Sequence, residues 1–572
     1  MKTSSMCFCA IALLLLVTAS SFAFEREQIL KLPLSDGAEL DTNVYLPQEG
    51  AGPWPVLLVR SSYGRDFPVQ GLRESDWVRA DYALVVQDVR GTPFTSTKMA
   101  LFYADSWRDD VHDGRDTYDW IVAQPWCNGQ VGTLGESGLG MTAFLLGPAA
   151  PKLRAQFIVK APPSFYRAVF YGGVFQENLV FQWLTTMGSG DIYHTVTPDI
   201  VGPKQLTTLG SGDIYPVFRS HLAYGEFWRP YDTLALVDKT EAAGFFVGAW
   251  YDVFQQGILD AFTTREYAED SLSRGMNYLV MQPDTHRECL SRDYTFRDPG
   301  GPNTGDLRRR FFDYRLRGDL HALDGIPKVQ YFTLGADTPA DAPGNVWRNS
   351  DRWPPADARD TPFYLTTENG LSREAPAATP GTLEFAADPA HPYPTWGGPN
   401  LSYNVPIGPY DQRARMKERT DLVQFATPPL DVPVEIAGRV RVKLYISTDA
   451  PDTDFTAKLV DIYPEPDGRV INLLDGIQRL KYRRSVERTE PYTPGTVTDL
   501  EIDLWSTSFV FAPGHRIGLH VAGSNAPRFS VNPNTGVDYI EEGAPMAVAH
   551  NTIHLSEDRP SALILPECPW RP

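Results

Sequence analysis

The stretch at residues 130–140, QVGTLGESGLG, constrains this chain more than any other. It reads as an apolar strand, a glycine-flanked serine, and then the first turn of a helix. A strand-to-helix turn this sharp needs neighbours without side chains. Gly135, Gly138 and Gly140 supply them two before, one after and three after Ser137. Such a turn lifts the hydroxyl clear of the sheet and aims the first helical amides at the spot where an oxyanion would form. Ser137 is therefore the candidate nucleophile, set against the plainer reading of a glycine-rich turn with an incidental serine.

The chain around it has the pattern of an α/β protein. Two alternating runs, ILKLPL and LDTNVYLP, flank Ser35-Asp36-Gly37 and predict a hairpin. PVLLVR from Pro55 and YALVVQDVRG from Tyr82 are short apolar strands separated by a helical stretch around Leu72 to Ala80. LRAQFIVKAPP, GFFVGAW and NYLVMQP follow the elbow as later strands. Buried strands alternating with helices predict a mostly parallel sheet covered on both faces. Residues 163–240 are aromatic-rich and helical with irregular connections, an insertion placed where a cap over the site would sit. Within it TTMGSGDIY from Thr185 returns as TTLGSGDIY from Thr207, two similar loops and too few copies for a solenoid. A Pro/Asp-rich stretch at 336–361 marks a boundary, giving domains at 24–340 and 341–572. Beyond it, runs such as VRVKLYIST and HRIGLHVAG predict an all-β sandwich. Its acidic residues Asp449, Asp452 and Asp454 read as a solvated loop cluster rather than a calcium site.

Length and charge narrow the classes. A chain of 572 residues exceeds one ordinary core. A formal charge of −19 argues against nucleic acid or an anionic membrane as partner. Lys2, an apolar run from Ile11 to Val17 and the Ser21-Phe22-Ala23 site read as an export signal cleaved after Ala23, with no stable membrane insertion thereafter. Cys7 and Cys9 fall inside it. Cys127, Cys289 and Cys568 remain, so no disulfide scaffold is expected, and no Cys/His cluster suggests a metal or other cofactor.

A serine hydroxyl needs a base within hydrogen-bond reach and a carboxylate to orient that base. His286 follows the strand NYLVMQP, at a strand's C-terminal end, the edge where open α/β sheets bind ligands. Asp252 follows GFFVGAWY in the same way and lies between Ser137 and His286, the order expected on such a sheet. Asp284 is a rival acid, but two residues from His286 it has difficulty turning back to the same imidazole. The Gly138 amide is one expected oxyanion donor. Tyr63, in the loop after PVLLVR, is a second, or else a wall aromatic.

These residues resemble the CocE/NonD family, the cocaine esterase/X-Pro dipeptidyl-peptidase group of α/β-hydrolases. The resemblance runs through SSYGR, VVQDVRG, DWIVAQPWCNGQVGTLGESGLG, GAWYDVFQQG and the histidine loop, then PDTDFTAKLVDIYP, INLLDGIQRLKYR, FVFAPGHRIGLHVAGSNAPRF and NPNTG. It implies an α/β-hydrolase domain with a helical cap insertion and a C-terminal jelly roll. It also implies Ser137 as nucleophile, Asp252 as acid, His286 as base, and Tyr63 with Gly138 as the oxyanion hole. Three departures stand out: Gly138 where the family commonly has tyrosine, which would open space beside the serine; QPDTH where GPW-x-H is usual; and RGTPFTS in place of a glycine-richer loop.

The family's amino-ester hydrolases place acids just after the catalytic aspartate. Here that segment is Val253-Phe254-Gln255-Gln256, so a neutral or acidic acyl group is expected. Phe165, Tyr166, Phe170, Tyr171 and Trp183 are expected pocket aromatics. The expected activity is that of an exported serine hydrolase acting on small esters or amides, with an X-Pro dipeptidyl-peptidase or a β-lactam or amide acylase as the alternative. A binding protein with a dead hydrolase domain is the reading from another class, and it has no need of all three catalytic residues.

Overall fold

A computed structural model describes residues 26–47, 50, 52–66, 70–90, 112–180, 183, 218–298, 300–376, 378–401, 405–538 and 545–571. The expected export signal, both copies of the repeated segment and RGTPFTS beyond Arg90 lie outside the described residues.

The N-terminal part is one twisted sheet. Its strands are β1 (Arg26–Pro33), β2 (Glu39–Tyr45), β3 (Trp54–Ser61), β4 (Ala83–Asp88), β5 (Cys127–Glu136) and β6 (Ala155–Val159). The chain then makes a small hairpin, β7 (Phe170–Tyr171) and β8 (Val174–Phe175), and returns with β9 (Ala243–Tyr251), β10 (Tyr278–Thr285), β11 (Val329–Gly335) and β12 (Val346–Ser350). Pairing runs β1-β2-β4-β3-β5-β6-β9-β10-β11-β12, parallel from β4 to β11, with β1, β2 and β12 antiparallel. The β1–β2 turn closes at Ser35-Asp36-Gly37, with the Ala38 amide donating to Asp36 and Gly37 at φ 85°.

β4 and β9 are buried along their whole length because both faces are covered. Leu57 and Val59 of β3 join Phe245, Phe311 and Phe312 on one face, whereas Val56 and Leu58 join Tyr118, Ile121 and Leu146 on the other. The helices carrying those contacts include α3 (Asp113–Val122), α4 (Gly138–Ala149) and α7 (Thr304–Phe312). The others named here are α1 (Gln70–Arg73), α2 (Asp76–Asp81), α5 (Phe165–Val169) and α6 (Gln255–Tyr267).

Between β6 and β9, the described part of the expected cap holds α5, the β7–β8 hairpin and 3₁₀ turns at Arg229–Tyr231 and Thr233–Lys239. Phe165, Tyr166, Phe170, Trp228 and Tyr231 give it a small aromatic core. The hairpin tip rests on the C-terminal part, where Arg479 donates its amide to the Gly172 carbonyl at 2.9 Å.

The C-terminal part is a two-sheet β sandwich. One sheet centres on β17 (Val434–Thr448), which pairs with β20 (Thr498–Phe511), β22 (Ala549–Ser556) and β24 (Ala562–Cys568). The other has the order β16-β21-β18-β19, formed by Leu422–Ala426, Arg516–Ala522, Asp454–Ile462 and Val470–Arg479. The expected break at residue 340 is not a break in the sheet. β12 lies past it and pairs along β11, while the end of β11 runs parallel to β20 at Leu334 and Gly335. The two parts therefore share hydrogen bonds as well as side-chain packing.

The aspartates expected to form a solvated loop do not. Asp452 and Asp454 are buried, and Asp454 takes a two-pronged contact from Arg479 at 2.8 and 2.9 Å. Asn532 donates to both carboxylates. Asp449 alone is exposed, paired with His550. All three cysteines described are free thiols. Among the described residues no helix is long and apolar enough to cross a membrane, and no group of His, Cys, Asp or Glu is arranged to hold a metal.

Candidate active site

The elbow is as tight as its glycines predict. Ser137, between β5 and α4, sits at φ 55° and ψ −124°, a conformation that is strained for any residue with a Cβ. Its amide donates to the Val159 carbonyl at 3.1 Å, and its carbonyl accepts the Met141 amide at 3.0 Å, so both ends of the turn are pinned. A Cβ at Gly135 would lie 2.2 Å from the Leu139 backbone, and one at Gly140 would lie 2.5 Å from the Ala161 Cβ. Those two positions exclude side chains outright.

His286 follows the last residue of β10. Its Nε2 lies 3.0 Å from Ser137 Oγ and its Nδ1 lies 2.5 Å from Asp252 Oδ2. Asp252, fully buried, uses its other oxygen to accept the Phe254 amide at 2.6 Å. With both carboxylate oxygens engaged, the aspartate is fixed and in turn fixes the imidazole. The Phe254 ring meets His286 edge-on at 5.4 Å. Asp284 is turned away: it pairs with Lys160 Nζ at 2.8 Å. Lys160 also donates to the Thr285 carbonyl at 2.8 Å, so the rival acid helps to tether the histidine loop instead.

Gly138 does not open space beside the serine. A Cβ there would lie 2.5 Å from the Tyr63 hydroxyl oxygen and 2.8 Å from Ser62 Oγ. The phenol therefore stands against the amide end of α4, where an oxyanion would be held. Ser62 Oγ, fully buried beside it, has no hydrogen-bond partner among the described residues. The sequence reading missed Ser62, although it directly precedes Tyr63.

Two cavities meet at Ser137. An apolar one is lined by Gly138, Met141, Phe165, Trp183, Phe254 and Leu401. A second, of about 330 Å³, is lined by Tyr63, Leu72, Glu136, Leu139, His286 and Arg308. Of the five aromatics expected in the pocket, Phe165 and Trp183 reach the apolar cavity. Tyr166, Phe170 and Tyr171 line a neighbouring cleft that Phe254 separates from it. Gln255 and Gln256 face the sandwich, bonding to the Ser506 carbonyl and hydroxyl. The segment after Asp252 thus contributes packing there, and only Phe254 of it lines the apolar cavity. Leu401 comes from the far side of the domain boundary, which no local signal could reveal.

Comparison with known proteins agrees with this architecture. The family model for the X-Pro dipeptidyl-peptidase (S15 family) matches residues 36–288, and that for the X-Pro dipeptidyl-peptidase C-terminal non-catalytic domain matches residues 321–564. Cocaine esterase of Rhodococcus sp. (strain MB1 Bresler) is 33% identical over 94% of this chain and 97% of its own. Among solved structures, an α-amino acid ester hydrolase superimposes with a TM-score of 0.77 at 24% identity, covering 99% of this chain and 100% of its own. A CocE/NonD family hydrolase from Staphylococcus aureus superimposes with a TM-score of 0.69 at 18% identity, covering 95% of this chain and 93% of its own. Those two structures attest the fold, and the esterase match spans both domains. With a similarity that runs nearly end to end in both chains, this protein belongs to the CocE/NonD family of α/β-hydrolases and is a serine hydrolase.

Proposed function

We propose that the protein cleaves carboxylic esters through an acyl-enzyme, with Ser137, His286 and Asp252 as its catalytic triad. The observation that carries this reading is the continuous hydrogen-bond relay from Asp252 through His286 to Ser137 Oγ on a strained turn. Ser137 attacks the carbonyl while His286 Nε2 takes its proton, and the resulting imidazolium faces the buried carboxylate. The oxyanion is held by the Gly138 amide and the Tyr63 hydroxyl. His286 then protonates the departing oxygen, and water releases the acyl group by the reverse path. The acyl group occupies the apolar cavity. No carboxylate lines that cavity among the described residues, which favours a neutral acyl group over an α-amino acyl group and an ester over an X-Pro dipeptide. Residues 1–23 act as an export signal, and the mature chain begins at Phe24.

The test is fluorophosphonate labelling with mass mapping, alongside turnover of p-nitrophenyl acetate and an alanyl-prolyl amide. Label on Ser137 with ester turnover alone is expected. Ser137→Ala should lower ester turnover by about 10^3-fold or more. Equal turnover in wild type and Ser137→Ala would refute the triad, and turnover of the dipeptide amide would move the reading to a peptidase.

A further inference from the structure

The 330 Å³ cavity is lined by an arginine that makes no ion pair among the described residues. Three consecutive arginines, Arg308 to Arg310, lie in the second half of α7. Arg309 pairs with Asp306, and Arg310 donates to the Ala322 and Asp324 carbonyls. Arg308 points instead into the cavity beside Ser137 and His286. Its Nε is buried without a hydrogen-bond partner, and its guanidinium makes no ion pair among the described residues. Burial pulls it below the usual arginine range, and the more distant Glu136 carboxylate counters this only in part. A largely enclosed arginine without a hydrogen-bonded ion pair is costly and rare, and its planar fork matches a carboxylate.

The same cavity is the one that His286 lines; the apolar cavity lacks it. Because the imidazolium hands its proton to the departing atom, the leaving group belongs on this side. Leu72, Leu134, Leu139 and Phe157 form apolar walls between the serine and the arginine, suited to an aryl or alkyl spacer. We propose that Arg308 binds a carboxylate on the leaving group, so that the substrates are esters of neutral acyl groups with hydroxy acids. This rests on the triad reading above.

The test uses a matched pair, 4-carboxyphenyl acetate and its methyl ester, each rate normalised to its hydroxide-catalysed hydrolysis. Wild type should prefer the acid in kcat/KM, and Arg308→Met should lower that preference by about 10- to 100-fold, the range for a lost charged hydrogen bond. A ratio taken within one preparation does not depend on how much of it is folded. On wild type alone, 4-hydroxybenzoate should inhibit at least about 10-fold more tightly than its methyl ester. Equal inhibition by the two, or a preference that survives in Arg308→Met, overturns the proposal. Ser137→Ala separates the two readings: if it is inactive on both esters while the ratio ignores Arg308, only the carboxylate site fails, and if it stays active the triad fails as well.

Discussion

The Tyr63 hydroxyl occupies the space that any side chain at residue 138 would need. A Cβ there would stand 2.5 Å from the phenol oxygen, with Ser62 Oγ on its other side at 2.8 Å. Glycine at this position thus lets a phenol approach the amide end of α4 closely. Tyrosine after the nucleophile, common in the family, could not be accommodated here without moving that phenol. The absent side chain and the proposed oxyanion donor are one arrangement.

Gly138→Ala should therefore displace Tyr63 while leaving the relay from Asp252 to Ser137 in place. The expected loss in kcat is about 10^2- to 10^3-fold, as for removal of one oxyanion donor. Steady-state turnover of p-nitrophenyl acetate measures it. A variant with wild-type kcat would remove Tyr63 from the oxyanion hole.

Glu177 lies in the cap just after the β7–β8 hairpin, and the next residue, Asn178, donates its amide to the Pro527 carbonyl of the sandwich at 3.1 Å. Burial raises the Glu177 carboxyl to about 7 from an ordinary 4.5, and no basic group answers it among the described residues. The folded state thus holds this proton more tightly than the unfolded chain. Stability falls as pH rises from about 4.5 to about 7, and the penalty is fully present above that. Glu177→Gln should have the higher Tm at pH 8 and lose that advantage by pH 4.5. A Tm difference between the two proteins that does not change with pH would mean the carboxyl is not desolvated in the folded protein.

The hydrogen-bonded trio of Ser137, His286 and Asp252 was legible because each follows a strand that announces itself: the glycine-flanked Ser137, Asp252 after an unbroken apolar run, and His286 directly after β10. What surrounds them was not. Leu401 reaches the apolar cavity from across the domain boundary, and Arg308 reaches the other from α7, whose approach to Ser137 is a tertiary fact. Asp452 and Asp454 looked solvated because their partners, Arg479 and Asn532, lie more than twenty residues away. β12 was hidden in a Pro/Asp-rich stretch because its pairing with β11 is a tertiary fact. Sequence patterns report where an element faces its own neighbours, and these contacts are with distant ones.

Phe254 stands at a different junction. Its ring borders the apolar cavity on one side and, on the other, a cleft of about 770 Å³ lined by Tyr166, Phe170 and Trp505. Ala168 is the other residue common to both walls, so a single aromatic side chain forms most of the partition. With the ring in place, an acyl group bound there as proposed has to be compact. Phe254→Ala should join the two spaces, and p-nitrophenyl decanoate should gain on the acetate in kcat/KM by about 10-fold or more, since each buried methylene contributes about 0.8 kcal/mol. Acetate turnover itself should fall, because His286 loses the ring packed edge-on against it at 5.4 Å. Loss of a large buried ring should also cost about 3–5 kcal/mol of stability, readable as a lower Tm. The chain-length ratio is the deciding quantity: if it stays at the wild-type value while acetate turnover drops, Phe254 supports the histidine and does not set the depth of the acyl pocket.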